Sequence, residues 1–177
     1  MSQDWKHATG YANRDLDKKI VRLFTNPVVS IHPKAKKAIL EADSIILTVG
    51  DIYSSIVANL IVRGIPEALQ KTKARVIMFV NSLTILGESD GFAASDFVKT
   101  VERYIGENAI DVAIVTKNVR PGALKQFAKA KPGIAAPDIE RIPKRIKTIL
   151  YNWNTESGAF KADPKKVLPL LKKLNVL

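Results

Sequence analysis

Cysteine is absent from this chain, and histidine occurs only at His7 and His32. The first absence excludes disulfides, thiolate metal sites and a cysteine nucleophile. The second excludes the paired histidines at helical spacing that zinc enzymes use, so no zinc site is expected. Aromatic residues make up 7% and do not cluster with the basic ones, and no RNP-like aromatic motif occurs. A base-stacking platform for RNA is therefore missing, and charge alone supports RNA as a partner. The longest apolar runs are strand-sized, and Met1-Ser2-Gln3-Asp4-Trp5 lacks the apolar core of a signal peptide. A cytoplasmic protein with no membrane partner is expected. Neither G-x-x-x-x-G-K-[ST] nor G-x-G-x-x-G is present, which excludes a Walker A loop and a dinucleotide fingerprint.

What remains is enough for a folded domain. A chain of 177 residues with 46% hydrophobic content can bury a full core, and residues 1–177 read as a single α/β domain. The 28 Lys+Arg outnumber the 17 Asp+Glu, giving a formal charge of +11. That excess suits either an anionic partner, such as a nucleotide, phosphosugar, RNA or membrane surface, or a solvated basic surface. The cations are densest at Lys117, Arg120, Lys125, Lys129, Lys131, Arg141, Lys144, Arg145 and Lys147. Within that stretch, 131–144 holds Pro132, Gly133, Pro137 and Pro143 and reads as a long basic connection within the domain.

Short apolar runs alternate with stretches of helical period, the signature of βαβ units and a mostly parallel sheet. The runs Ile20 to Phe24, Ser44 to Val49, Val76 to Val80, Val112 to Val115 and Ile146 to Tyr151 are apolar on both faces, as strands covered from two sides must be. The first of them would leave a sheet edge in need of a partner. Helices are predicted over Lys34 to Ala42 behind Pro33 and over Pro66 to Thr72, each with proline at its first turn. Val98, Val101, Tyr104 and Ile105 recur at helical spacing before Gly106, a C-cap. A last helix follows Asp163-Pro164, with Val167, Leu170, Leu171 and Leu174 as its apolar stripe.

Ligands of open α/β sheets bind at the carboxyl ends of the strands. Two loops stand there. In Gly50-Asp51-Ile52-Tyr53-Ser54-Ser55 a strand ends at glycine and a helix begins near Tyr53, so the glycine would let a ligand approach and the serines would add hydroxyls to a helix N-terminus. N-capping by Asp51 is the structural alternative. In Asn81-Ser82-Leu83-Thr84-Ile85-Leu86-Gly87-Glu88-Ser89-Asp90-Gly91, the side chains of Asn81, Thr84, Glu88 and Asp90 offer an amide, a hydroxyl and two carboxylates. Glu88 and Asp90 suit metal ligation, ribose hydroxyls or a general base; an Asx or helix-cap role for Asp90 and an exposed Glu88 are the alternatives. Asn59, an amide inside the apolar Ile56 to Val62, needs a hydrogen bond to backbone or ligand.

Gly50 through Leu60 and Asn81 through Gly91 together resemble the 2-phospho-L-lactate transferase (CofD-like) superfamily, and more closely its bacterial gluconeogenesis-factor (YvcK-like) branch. That branch reads G-P-G-S-x-Y-T-S…P-N-L after one strand and C-N-x-x-T-x-x-G-E-T-D-G after the next, in the order and spacing found here. Ser95-Asp96-Phe97-Val98 resembles the helix that follows. The likeness extends from about Ile20 through Asp163-Pro164. It departs from the pattern at Thr48-Val49-Gly50-Asp51, at Ala58 in place of proline, at Phe97 in place of histidine and at Lys161-Ala162 in place of Arg-His. The resemblance implies a Rossmann-like three-layer α/β/α fold with a mostly parallel sheet, lacking the family's N-terminal glycine-rich half. Homo-oligomerisation, or a partner that supplies the missing half, follows from it. It also implies binding of a nucleotide sugar such as UDP-N-acetylglucosamine and a regulatory role. Gly50, Asp51, Tyr53, Ser54, Ser55, Asn59, Asn81, Thr84, Gly87, Glu88, Asp90 and Gly91 are the expected ligand-binding residues, none assigned a catalytic role. The enzyme alternative is transfer of a phospholactyl-type group from a nucleotide-activated donor to a deazaflavin, with Mg²⁺ on Asp51, Glu88 and Asp90.

Overall fold

The structure, a computed structural model, describes residues 18–117, 119, 124, 133–155 and 158–176, with the backbone alone of 158–161. Arg120, Lys125, Lys129 and Lys131 of the basic stretch lie outside the described residues. Four of the five predicted strands form one parallel sheet: β1 Ser44–Leu47, β2 Arg75–Phe79, β4 Val112–Val115 and β6 Lys147–Leu150, side by side in that order. The register pairs Ile46 with Ile77, Phe79 with Ile114 and Val115 with Leu150. Two short antiparallel pairs accompany it, β3 Leu83–Thr84 with β5 Gly133–Ile134 and β7 Asn154–Thr155 with β8 Gly158–Ala162. Because strand side chains alternate, each central strand feeds two cores. Met78, Val80, Ala113 and Val115 join one core; Ile77, Phe79, Val112 and Ile114 join the other.

The helices cover the two faces unequally. The first face carries α1 Pro33–Glu41, a wide turn over Ile52–Val57 that runs into α2 Ala58–Leu60, then α3 Ile65–Lys71 and α4 Ala94–Ile105. Of these α4 is most deeply inserted, with Phe97, Val98, Val101 and Ile105 buried along one side. Gly106 ends α4 at φ 88°, and a Cβ there would strike the Gln70 amide that holds the Ile105 carbonyl at 2.7 Å. The positive φ favours glycine, and any larger residue would also displace the Gln70 side chain from that carbonyl. The second face is covered by α5 Pro164–Lys173, whose N-cap Asp163 accepts from Lys165 N at 3.0 Å and whose Leu170 and Leu171 pack on Trp153. This three-layer, Rossmann-like arrangement agrees with the sequence reading.

Ile20 to Phe24 is not a strand. Its half-buried residues, Ile20 and Leu23, are three apart while Val21 and Phe24 are exposed, a spacing no strand face can present. The Leu23 amide is spent on Tyr104 Oη at 2.9 Å instead of on a ladder. Among the described residues the sheet edge on that side is β1, half-buried along its length and paired with β2.

Candidate functional site

Both loops singled out by sequence lie at the carboxyl ends of adjacent strands, β1 and β2, and they are tied together. Asn81 Nδ2 donates to Gly50 O at 2.6 Å. Glu88 reaches back across the crevice, its Oε1 accepting from Ser54 N at 3.0 Å and Tyr53 N at 3.3 Å. A carboxylate at the start of this turn satisfies amides that would otherwise be orphaned and meets the positive end of the peptide dipoles. The amides foreseen as an anion site are thus occupied from within the chain. Glu88 is buried, contrary to the exposed alternative.

The turn itself is wider than an α-helix because the Asp51 carbonyl accepts from both Ser55 N at 2.9 Å and Ile56 N at 3.2 Å. Asp51 occupies the N-cap position with no side-chain capping bond, so the capping alternative does not describe it. At Gly50 a Cβ would lie 2.9 Å from Ser55 Cβ, which makes Ser55, not a ligand, the group that requires closeness there. Tyr53 is buried at 4% exposure, and burial pushes its phenol above the ordinary value, with Tyr104 and Glu88 adding to the rise and Arg103 and a hydrogen bond from Thr100 opposing it.

The remaining predicted residues divide between local support and exposure. Asp90 Oδ2 accepts from Gly87 N three residues earlier, a local bond that shapes the loop, and Gly87 and Gly91 hold positive φ values of 76° and 69°. Thr84 Oγ1 accepts from Gly133 N at 3.2 Å, which roofs the loop with β5. Asn59 is exposed, and its Nδ2 donates to Ser55 O at 2.6 Å, one turn earlier. Its amide needed a backbone partner and found it locally. Phe97, the histidine position of the family pattern, is wholly buried and stands edge-on to Phe92 at 5.3 Å.

Asp138 of the long connection accepts from Ser95 N at 2.8 Å and Ser95 Oγ at 2.7 Å, and so seats that segment on the start of α4. Further along, Arg145 meets the buried Glu102 carboxylate at 2.8 Å. Lys117, Lys144 and Lys147 are exposed, as a solvated basic surface would have them.

Three residues that sequence reasoning passed over complete the carboxyl edge. Thr116 follows β4, and Trp153 and Asn154 follow β6. They are 5%, 0% and 8% exposed, and Thr116 Oγ1, Trp153 Nε1 and both side-chain atoms of Asn154 lack a hydrogen-bond partner among the described residues, as does Asn81 Oδ1. The signal was available in part: Thr116 directly succeeds an apolar run, the rule that selected Asn81, and Trp153 and Asn154 lie within three residues of the end of another.

Among the described residues no group of three or more His, Asp and Glu is placed to hold a metal ion. Glu88 and Asp90 each commit an oxygen to backbone amides. The site does not fit an all-protein magnesium cage; an ion there would take most of its coordination from ligand phosphates and water.

A family model described as 2-phospho-L-lactate transferase CofD matches residues 6–152. The chain belongs to the CofD family. It is 33% identical over 160 residues to a putative gluconeogenesis factor of Aquifex aeolicus (strain VF5), a match covering 88% of this chain and 49% of that protein. A putative gluconeogenesis factor of Streptococcus pyogenes serotype M1 is 39% identical over 132 residues, or 72% of this chain and 41% of its own length. The crystal structure of a UPF0052-family protein from Bacillus halodurans superposes with a TM-score of 0.79 at 27% identity, over 87% of this chain and 50% of that one. This CofD-family chain therefore spans about half the length of the curated relatives it matches. Membership of the YvcK-like branch agrees with the two motifs. No helix among the described residues is long and apolar enough to cross a membrane.

Proposed function

We propose that this chain is a nucleotide-sugar-binding regulatory protein whose ligand, of the UDP-sugar class, lies across the carboxyl ends of the parallel strands. The observation that carries this reading is Asn81. Its Nδ2 is fixed on Gly50 O while its buried Oδ1 has no hydrogen-bond partner among the described residues, so an acceptor is held in place between two loops. Leaving such an atom unpaired costs free energy, and a sugar hydroxyl or base N–H would recover it. Relatives named gluconeogenesis factor, rather than named as an enzyme, support regulation over turnover.

The edge strand β1 supports a partner alongside it, a second copy of the chain or the half of the family fold that it does not span. The description of the family model favours a second reading, transfer of a phospholactyl-type group with magnesium brought in on a nucleotide. Magnesium-dependent transfer would establish it in place of regulation.

Calorimetric titration with UDP-N-acetylglucosamine, GDP and GTP, with and without Mg²⁺, tests both readings alongside the solution mass. Saturable binding of the UDP-sugar is expected, weakened by roughly 1–3 kcal/mol in Asn81→Ala through loss of a buried hydrogen bond. The absence of saturable binding by any of the three would end the nucleotide reading.

A further inference from the structure

The orphaned polar side chains of Asn81, Thr116 and Trp153 share one side of the sheet at its carboxyl edge. Ile77 and Phe79 of β2, Val112 and Ile114 of β4, and Ile149 and Tyr151 of the β6 segment all pack in the core beneath α5. Continuing each row by two residues, the strand period, reaches Asn81, Thr116 and Trp153. The ladder does run on: Val80 N donates to Ile114 O at 3.0 Å and Tyr151 N to Val115 O at 2.9 Å, one step past each strand end. Register then sets Asn81 beside Thr116. The Trp153 ring spans the remaining distance, meeting Phe79 edge to face at 5.7 Å, two residues before Asn81. Asn154 follows Trp153 and opens β7, its main-chain oxygen held by Lys166 of α5 at 2.8 Å.

We infer that Asn81, Thr116, Trp153 and Asn154 form a subsite for the uncharged part of the ligand, a nucleobase or its ribose, on the α5 side of the carboxyl edge. This deepens the nucleotide-sugar reading and rests on it. The atoms on offer are two donors, Trp153 Nε1 and Asn154 Nδ2, two carbonyl acceptors, Asn81 Oδ1 and Asn154 Oδ1, and the Thr116 hydroxyl, which serves as either. None carries charge, so the set matches a heterocycle edge or sugar hydroxyls, whereas a phosphate would leave both acceptors opposed to its oxygens. The neighbouring Lys166 is already engaged, donating to Asn154 O at 2.8 Å and pairing with Asp163 at 3.9 Å. All four side chains are more than nine-tenths buried, where a missing hydrogen bond costs most. Internal water would answer the same need without conferring any specificity.

Thr116→Val and Asn154→Leu remove the unpartnered groups with little change of shape. Each is expected to weaken uridine and UDP-N-acetylglucosamine about tenfold, the loss of roughly one buried hydrogen bond, while leaving the unfolding midpoint unchanged or raised. Inorganic pyrophosphate, which has no base or sugar, should show no difference between the variants and the wild-type chain. If the wild-type chain binds the UDP-sugar and both variants bind it equally well, the subsite is refuted and the nucleotide reading stands. Unchanged affinity with lowered stability would assign these atoms to internal water, again refuting the subsite. If the wild-type chain binds neither nucleoside nor nucleotide, both fall.

Discussion

Around β1 and β2 the buried Glu88 carboxylate and the Thr84 and Ser89 hydroxyls each accept from a backbone N–H, whereas around β4 and β6 Thr116, Trp153 and Asn154 lie as deeply buried with polar atoms that have no partner among the described residues. Sheet, burial and position along the strands are alike on the two sides. What differs is whether the chain itself supplies the partner. Asn81 Oδ1 apart, the first half of the carboxyl edge is closed by its own loops and contributes stability; the second keeps a cost that only something outside the described residues can relieve.

The largest effect expected from breaking that comparison is at Glu88. Glu88→Ala removes a charge-assisted acceptor from Tyr53 N and Ser54 N and leaves both amides orphaned at the head of a turn. A loss of about 2–4 kcal/mol in unfolding free energy is expected from urea denaturation. An unchanged value would show that the closed half is no more self-supporting than the open one.

A matched pair of hydroxyl removals sharpens the contrast. Ser89 Oγ accepts from Ile85 N at 3.0 Å and is 2% exposed, so Ser89→Ala strands an amide and should cost about 1–2 kcal/mol. Thr116→Val, at similar burial, strands nothing and should be neutral or stabilising by up to about 1 kcal/mol. Equal losses in the two, read from the same denaturation experiment, would erase the distinction.

Most of this edge was legible in the sequence because the parallel strands are continuous apolar runs, and such runs end where loops meet ligand or solvent. Gly50, Asn81 and Glu88 were found that way. Their roles were not legible, since a carboxylate that could ligate a metal and one that caps a distant turn look alike until the two loops are placed side by side. Asn59 misled because an amide in an apolar helix reads as buried, yet one helical turn is enough for it to reach Ser55 O from an exposed position. Ile20 to Phe24 misled because apolar content was read without period: Val21 and Phe24 face solvent, and Tyr104, from another part of the chain, takes the backbone donor a strand would have used. Thr116, Trp153 and Asn154 escaped notice because one hydroxyl or one indole after a strand is common, and only the shared lack of partners makes them a group.

The smallest expected effect concerns Tyr53, which sits in the closed half beside Glu88. Burial raises its phenol above 10, and the neighbouring Tyr104 and Glu88 raise it further. The folded state therefore holds this proton more tightly than the unfolded chain does. That advantage is fully present below pH 10 and is lost as pH climbs from 10 through the folded value, so stability must fall in that window and not at neutral pH. Tyr53→Phe deletes the titrating group, and its stability curve should run shallower than the wild-type curve by under about 1 kcal/mol across the first pH unit above 10. Thr116→Val, on the open half, should follow the wild-type slope. If Tyr53→Phe did the same, the phenol would be no harder to ionise in the folded state than in the unfolded chain, and the dense packing ascribed to the closed half would lose its electrostatic support.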